Sequence, residues 1–174
     1  MQSLVLTAIG SDRPGLVEAL ATLISSKGGN WLESSMAQLA GQFAGILRVD
    51  VADADADALM AALEAFEALK ITVTHATETT GESGYSRKLH LSLVGQDRVG
   101  IVREVSQVLA RHEVNVEELN TMTSSAPMSG ETLFHAKASL QAGGGLDAGA
   151  LKQDLEALSN DLIVDITLDE LVSI

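Results

Sequence analysis

One stretch of this sequence occurs twice, and that repeat restricts how the chain can fold. Residues 4–31 read LVLTAIGSDRPGLVEALATLISSKGGNW, and residues 89–116 read LHLSLVGQDRVGIVREVSQVLARHEVNV. The matches include turn and charged residues as well as apolar ones. A repeat of this length corresponds to a small domain present in two copies, not to the short units of a solenoid.

In each copy, the apolar pattern predicts the order strand, helix, strand, strand, helix, strand. A buried strand at 4–9 precedes a helical stripe of apolar residues that begins at Leu16, with Pro14 expected in the first helical turn and Gly28-Gly29 at its end. A hairpin follows, formed by strands 30–39 and 42–51. A second helix around 59–66 and a last strand at 71–77 complete the copy.

The second copy repeats this order at 88–94, 101–109, 115–123, 132–140, 151–158 and 163–168. Its hairpin connection is longer, and the extra residues fall within 124–131, a candidate surface for partner or subunit contact. The fold class is therefore α+β, with two βαββαβ domains, each an antiparallel sheet with its helices on one face. We predict domains at 1–78 and 87–174, joined by a linker at 79–86.

The charge and composition of the chain limit its partners. The net charge is −13 and both halves are acidic, so direct nucleic-acid binding is not expected, and anionic membrane surfaces are disfavoured. The chain has no cysteine, which excludes disulfides and thiolate metal sites. Neither a signal peptide nor an apolar segment of membrane-spanning length is apparent, which favours a cytoplasmic location.

A short motif joins the first strand to the first helix in both copies. It reads G-x-D-x-P-G at 10–15 and G-x-D-x-x-G at 95–100. The unpaired N–H groups of a helix N-terminus attract a carboxylate, and glycine leaves room for one. An asparagine opens the next strand, and we expect it to lie beside the loop, where its amide can contact a ligand. The candidate ligand-binding residues are Gly10, Asp12, Arg13, Pro14, Gly15, Asn30, Gly95, Asp97, Arg98, Gly100 and Asn115.

The same residues also have a purely structural interpretation. Asp12 and Asp97 would cap their helices, the glycines would satisfy turns, and the arginines would be solvated surface charges. Valine at Gly15 or Gly100 separates the two interpretations. The ligand interpretation expects binding to be lost and the fold to be retained.

No metal or catalytic site is expected. Asp53, Asp55 and Asp57, with Glu64, nearly match a calcium loop, but the place that needs glycine holds Ala58, and a helical stripe runs through the segment. The four histidines lack metal-ligand spacing, and no nucleophile has a base at a recognisable spacing. We therefore expect neither a cofactor nor an enzymatic activity.

The element order, together with the glycine, aspartate and asparagine positions, resembles the ACT domain. Two such domains with nothing else are similar to the family of the glycine cleavage system transcriptional repressor. The resemblance covers essentially the whole chain, although Val99 stands where the first copy has Pro14.

The resemblance implies a non-enzymatic regulator. ACT domains commonly bind amino acids at this loop, so a small amino acid, glycine or serine first, is the expected ligand. It further implies control of a transcription activator by protein contact, and small domains with open sheets favour a homodimer. Control of, or assembly with, a metabolic enzyme stays open as the alternative. An enzyme in its own right is a third, disfavoured possibility.

Overall fold

The computed structural model describes residues 1–77, 85–126, 130–162 and 164–171. The chain divides into two compact units, Met1–Glu78 and Thr79–Ile174. Most of the predicted linker lies outside the described residues, and the first strand of the second unit begins at Tyr85, within the last two linker positions.

The first unit has the predicted order of strands and helices. Its four strands form one antiparallel sheet in the order β2-β3-β1-β4. Its elements are β1 (Gln2–Ser11), α1 (Leu16–Ser26), β2 (Asn30–Leu39), β3 (Gln42–Val51), α2 (Ala56–Glu64) and β4 (Lys70–His75).

The second unit repeats this topology, with the order β6-β7-β5-β8. The predicted α+β fold with two antiparallel sheets is thereby confirmed. Two residues of the predicted insertion, Ser124 and Ser125, belong to a strand, and residues 127–129 lie outside the described chain. The elements are β5 (Tyr85–Gln96), α3 (Ile101–Arg111), β6 (Asn115–Ser125), β7 (Thr132–Gly143), α4 (Ala148–Leu162) and β8 (Val164–Leu171).

The hairpin of the first unit has the predicted bounds, because its turn is specified by local chemistry. Ala40 and Gly41 form a two-residue loop with φ of 50° and 79°. A loop of this length matches the twist of its strands when both central residues are left-handed. Glycine adopts that conformation without strain, whereas alanine does so at a cost.

Each core lies between one sheet face and two helices. Alternate residues of β1 (Leu4, Leu6, Ala8) are buried, whereas Thr7 and Ile9 on the other face are exposed. The second unit repeats this alternation, and no polar or charged residue is buried in the described parts of either unit. The helices therefore cover one face of each sheet, and the core is built almost entirely from aliphatic side chains.

Helices α1 and α3 end in the same backbone motif. Gly28 and Gly29 donate their N–H groups to Ser25 and Ile24, and Glu113 and Val114 donate theirs to Ala110 and Leu109. This is the Schellman pattern, which requires a left-handed residue at the first position after the cap. Gly28 has φ of 71° there, and Glu113 has φ of 55°.

None of the described helices is long and apolar enough to cross a membrane.

Candidate functional site

The loop that follows the first strand of each unit is tied to the end of its sheet. The backbone N–H of Asp12 donates to Gly41 O at 2.9 Å, and that of Asp97 donates to Thr132 O at 2.8 Å. The side chains of Asp12, Arg13 and Asp97 are exposed. The loops are therefore fixed by their backbones, which leaves their side chains in solvent.

Glycine, not aspartate, caps both helices. Gly15 and Gly100 are the N-cap residues, with φ of 88° and 101°, and neither helix has a side-chain capping bond. The structural interpretation of Asp12 and Asp97 as caps is therefore wrong. Pro14 also lies before the cap, because the left-handed glycine delays the first helical turn by two residues. Valine at Gly15 would strain this backbone, against the expectation that the fold is unaffected.

The other two motif glycines have a packing role. A Cβ at Gly10 would lie 2.9 Å from the carbonyl oxygen of Ala68 and 2.9 Å from the Leu69 side chain. A Cβ at Gly95 would overlap Val164 at the start of β8. Gly10 therefore lets the residues just before β4 approach β1, and Gly95 lets the start of β8 approach β5, which is sufficient to explain both glycines without a ligand.

The two helix starts differ in what surrounds them. A Cβ at Gly15 would meet nothing within 4 Å, so the start of α1 is open. At Gly100 the Glu104 carboxylate lies 3.3 Å from the same point, and it accepts a hydrogen bond from Arg98 at 2.9 Å. Both first turns hold an acidic residue, Glu18 in α1 and Glu104 in α3, but only Glu104 lies against its cap glycine, where it competes with any anion. The first loop is therefore the better anion acceptor.

The two asparagines lie far from the loops of their own units. Asn30 pairs with Asp50, which pairs with Ser3, whereas the first loop follows Ser11 at the opposite end of β1. Eight residues of strand separate these rows, about 26 Å. The prediction that the asparagine lies beside the loop of its own unit is therefore wrong. The reason is that α1 carries the chain back along the sheet before β2 begins.

In the second unit, Asn115 lies on a large cleft. This cleft has a volume of about 900 Å³ and lies between the end of α3, the start of β6 and the turn before α4. Arg111, His112 and Glu113 also line it. These three residues were not predicted from the sequence, where they resemble the polar end of a helix. The first copy has Ser26, Lys27 and Gly28 at the matching positions, and this difference between the copies could have identified them.

Two further histidine contacts have a structural explanation. His112 Nε2 lies 2.9 Å from Asp154 Oδ2 and links α3 to α4. His135 Nε2 lies 2.7 Å from the Ser124 hydroxyl across the second hairpin. Among the described residues, no group of three or more potential ligands could hold a metal ion.

The segment that nearly matches a calcium loop contains a helix, and two of its acidic residues lie at the helix cap and in an ion pair. Ala56–Glu64 is α2, with Asp55 at its N-cap. Asp53 pairs with the amino group of Met1 at 2.9 Å. The helix runs through the positions that a calcium loop would need.

Comparison with known proteins relates the first unit to one family. Residues 2–74 match the model of the ACT domain family. The glycine cleavage system transcriptional repressor of Escherichia coli (strain K12) is 24% identical over 162 residues, which cover 91% of this chain and 85% of that protein.

Solved structures extend the likeness over the whole chain. An unknown protein from Galdieria sulphuraria is 32% identical, with a TM-score of 0.88, over 98% of this chain and 99% of that one. A candidate glycine cleavage system transcriptional repressor is 20% identical, with a TM-score of 0.67, over 99% and 98% of the two chains, which supports the fold alone.

Proposed function

The first unit of this chain matches the ACT domain family, and from that premise we propose that the chain is a non-enzymatic regulator that senses a small amino acid. Glycine or serine is the first candidate, and the signal leaves the protein by protein contact. The relative in Escherichia coli, a glycine cleavage system transcriptional repressor, supports a role in the control of transcription, and we propose a transcription activator as the partner.

The observation that carries the proposal is the open start of α1. Leu16, Val17 and Glu18 have backbone N–H groups in the first helical turn, and no side chain caps the helix. The Glu18 carboxylate accepts a hydrogen bond from the Thr22 hydroxyl at 3.1 Å, one turn further on. A ligand carboxylate would accept hydrogen bonds from these N–H groups and gain from the helix dipole.

Charge supports contact with protein and argues against contact with nucleic acid. With a net charge of −13, the chain would repel phosphates, so we propose that it does not bind DNA directly. It would act as a homodimer in the cytoplasm. In this proposal it uses no cofactor or metal.

The alternative is a module that controls, or assembles with, a metabolic enzyme. The same ligand site serves both functions, so the partner distinguishes them. Affinity purification with the chain as bait would recover a transcription activator in the first case and a biosynthetic enzyme in the second. A screen for turnover of amino acids or folates tests the disfavoured third case, an enzyme in its own right.

The substitution Val17→Glu tests the ligand site. Val17 is 46% exposed in the first turn of α1, so a carboxylate there would interact favourably with the helix dipole and repel an anionic ligand. We expect a stability gain of about 0.3–1 kcal/mol together with loss of amino-acid binding. Thermal shift and calorimetry with glycine, serine and the other standard amino acids at millimolar concentration measure both effects.

Two variants control this test. Val17→Gln adds similar bulk without charge and should retain most of the binding. Val102→Glu makes the matching change at the start of α3, where Glu104 already lies, and should have a smaller effect on binding. No thermal shift of the parent protein with any amino acid would refute sensing itself. Undiminished binding by Val17→Glu would refute this site.

A further inference from the structure

The cleft at the end of α3 carries charges of both signs. Arg111 provides a guanidinium group that is 65% exposed and lies 3.8 Å from the Asp154 carboxylate, and Asn115 provides an amide. Glu113 and Asp147 provide carboxylates on the same lining. One oxygen of Asp147 accepts the N–H of Ala150 at 3.0 Å, which leaves its second oxygen available. A ligand with both an anionic and a cationic group matches this set.

Glu113 occupies a backbone position that favours glycine. It is the left-handed residue of the Schellman motif at the end of α3, with φ of 55°. The matching residue of the first unit is Gly28, with the same hydrogen bonds and φ of 71°. A non-glycine residue there costs free energy, and such strain concentrates at functional sites. Here the strained residue places a carboxylate on the cleft.

The opposite wall of the cleft is a turn in which two of the lining residues are glycines. Gly143 and Gly145 line the cleft, and a Cβ added to Gly145 would meet nothing within 4 Å. Arg87 holds this turn, because it donates to Leu146 O at 2.7 Å while it binds Glu170 through two nitrogens at 2.6 and 2.8 Å. Backbone groups of the turn are therefore accessible and their position is fixed.

We propose that this cleft binds a zwitterionic amino acid with a side chain larger than that of glycine. Arg111 and Asn115 receive its carboxylate, and Glu113 and Asp147 receive its ammonium group. The volume of about 900 Å³ leaves room for a polar side chain along the glycine turn. The inference rests on the proposed amino-acid-sensing function, but it assigns a second site, at the opposite end of the sheet from the loop at Gly100.

The sharpest test is Glu113→Gly, which gives the second unit the residue of the first. The change relieves backbone strain and removes the carboxylate. We expect a higher melting temperature and at least a tenfold loss of affinity for the standard L-amino acids that bind the parent protein. A residue with only a structural role would not raise stability and lower affinity together.

Two further variants locate the site. Gly145→Leu fills the cleft from a backbone that is not left-handed and should abolish binding with little change in stability. Asn115→Ala should weaken binding, whereas the matched Asn30→Ala in the first unit should not. Propionate and methylamine, which carry one charge each, should bind at least tenfold more weakly than the amino acid.

Failure of this inference is distinguishable from failure of the proposed function. Amino-acid binding that survives Glu113→Gly and Gly145→Leu but is lost in Val17→Glu would overturn the cleft and keep the loop site. Binding lost in the cleft variants and retained in Val17→Glu would support the cleft alone. A parent protein that binds no amino acid would overturn both.

Discussion

The four motif glycines show that one residue type serves two physical purposes. Gly10 and Gly95 are needed because a Cβ would collide with the residues just before β4 in the first unit and with the start of β8 in the second. Gly15 and Gly100 are needed because their φ angles are left-handed. Only the latter pair lies at helix N-termini, and only the start of α1 is open, so the ligand interpretation depends on Gly15 and not on the whole motif.

We predict that Gly15→Ala destabilises the protein. Alanine at φ of 88° costs about 1–2 kcal/mol, although no atom would collide with its Cβ. Chemical unfolding followed by circular dichroism measures the loss. Gly145→Ala is the matched control, because it also faces open space but has an ordinary φ, and it should leave stability unchanged or slightly raised. Equal effects of the two variants would contradict the backbone argument.

At the scale of elements, predictions from the sequence were best where local chemistry decides the structure. The bounds of β2 and β3 follow from the turn at Ala40-Gly41 and from the alternate apolar residues of β3 (Leu47, Val49 and Val51), which are buried. Pro14 was wrongly expected in the first turn of α1, because a left-handed glycine cap cannot be distinguished from a turn glycine in the sequence.

The candidate site could be predicted only in part, because it depends on where elements end in space. The loop after β1 is next to its helix in sequence, so its position was predictable. Asn30 depends on the direction in which α1 returns, which places it about 26 Å away. The strain at Glu113 is a backbone angle with no sequence signature of its own. Only comparison with Gly28 reveals it.

The turn of the first hairpin provides a prediction at this scale. Ala40→Asn should raise stability by about 0.5–1 kcal/mol, because asparagine tolerates the left-handed conformation and Asn-Gly favours this turn. The denaturant midpoint should rise with an unchanged slope. Gly41→Ala, at φ of 79°, should lower it. A fall for Ala40→Asn as well would contradict the argument that the left-handed conformation of Ala40 costs stability.

At the scale of the whole molecule, the excess of 24 acidic over 11 basic residues makes stability sensitive to pH. One carboxylate has a clear structural role in this. The hydrogen bond from Arg87 holds the pKa of Glu170 below its ordinary value. Its contribution is therefore present above the ordinary carboxyl pKa and is lost as pH falls through the lowered value.

We predict that Glu170→Gln lowers the melting temperature at neutral pH. The difference from the parent protein should shrink as pH falls through the acidic range and vanish once Glu170 is protonated. Melting curves at a series of pH values measure this. Asp169→Asn is the control, because the described residues offer that neighbouring carboxylate no ion pair. A constant difference at all pH values would contradict the ion-pair origin.

The position of Trp31 gives the molecule a built-in optical label. It is the only tryptophan of the chain, and it packs, partly buried, against the core of the first unit. Its emission therefore reports on that unit, whereas circular dichroism reports on both. Comparing the two signals during unfolding shows whether the units lose structure together or in sequence. No dye or engineered residue is needed to follow one copy of the repeat in the presence of the other.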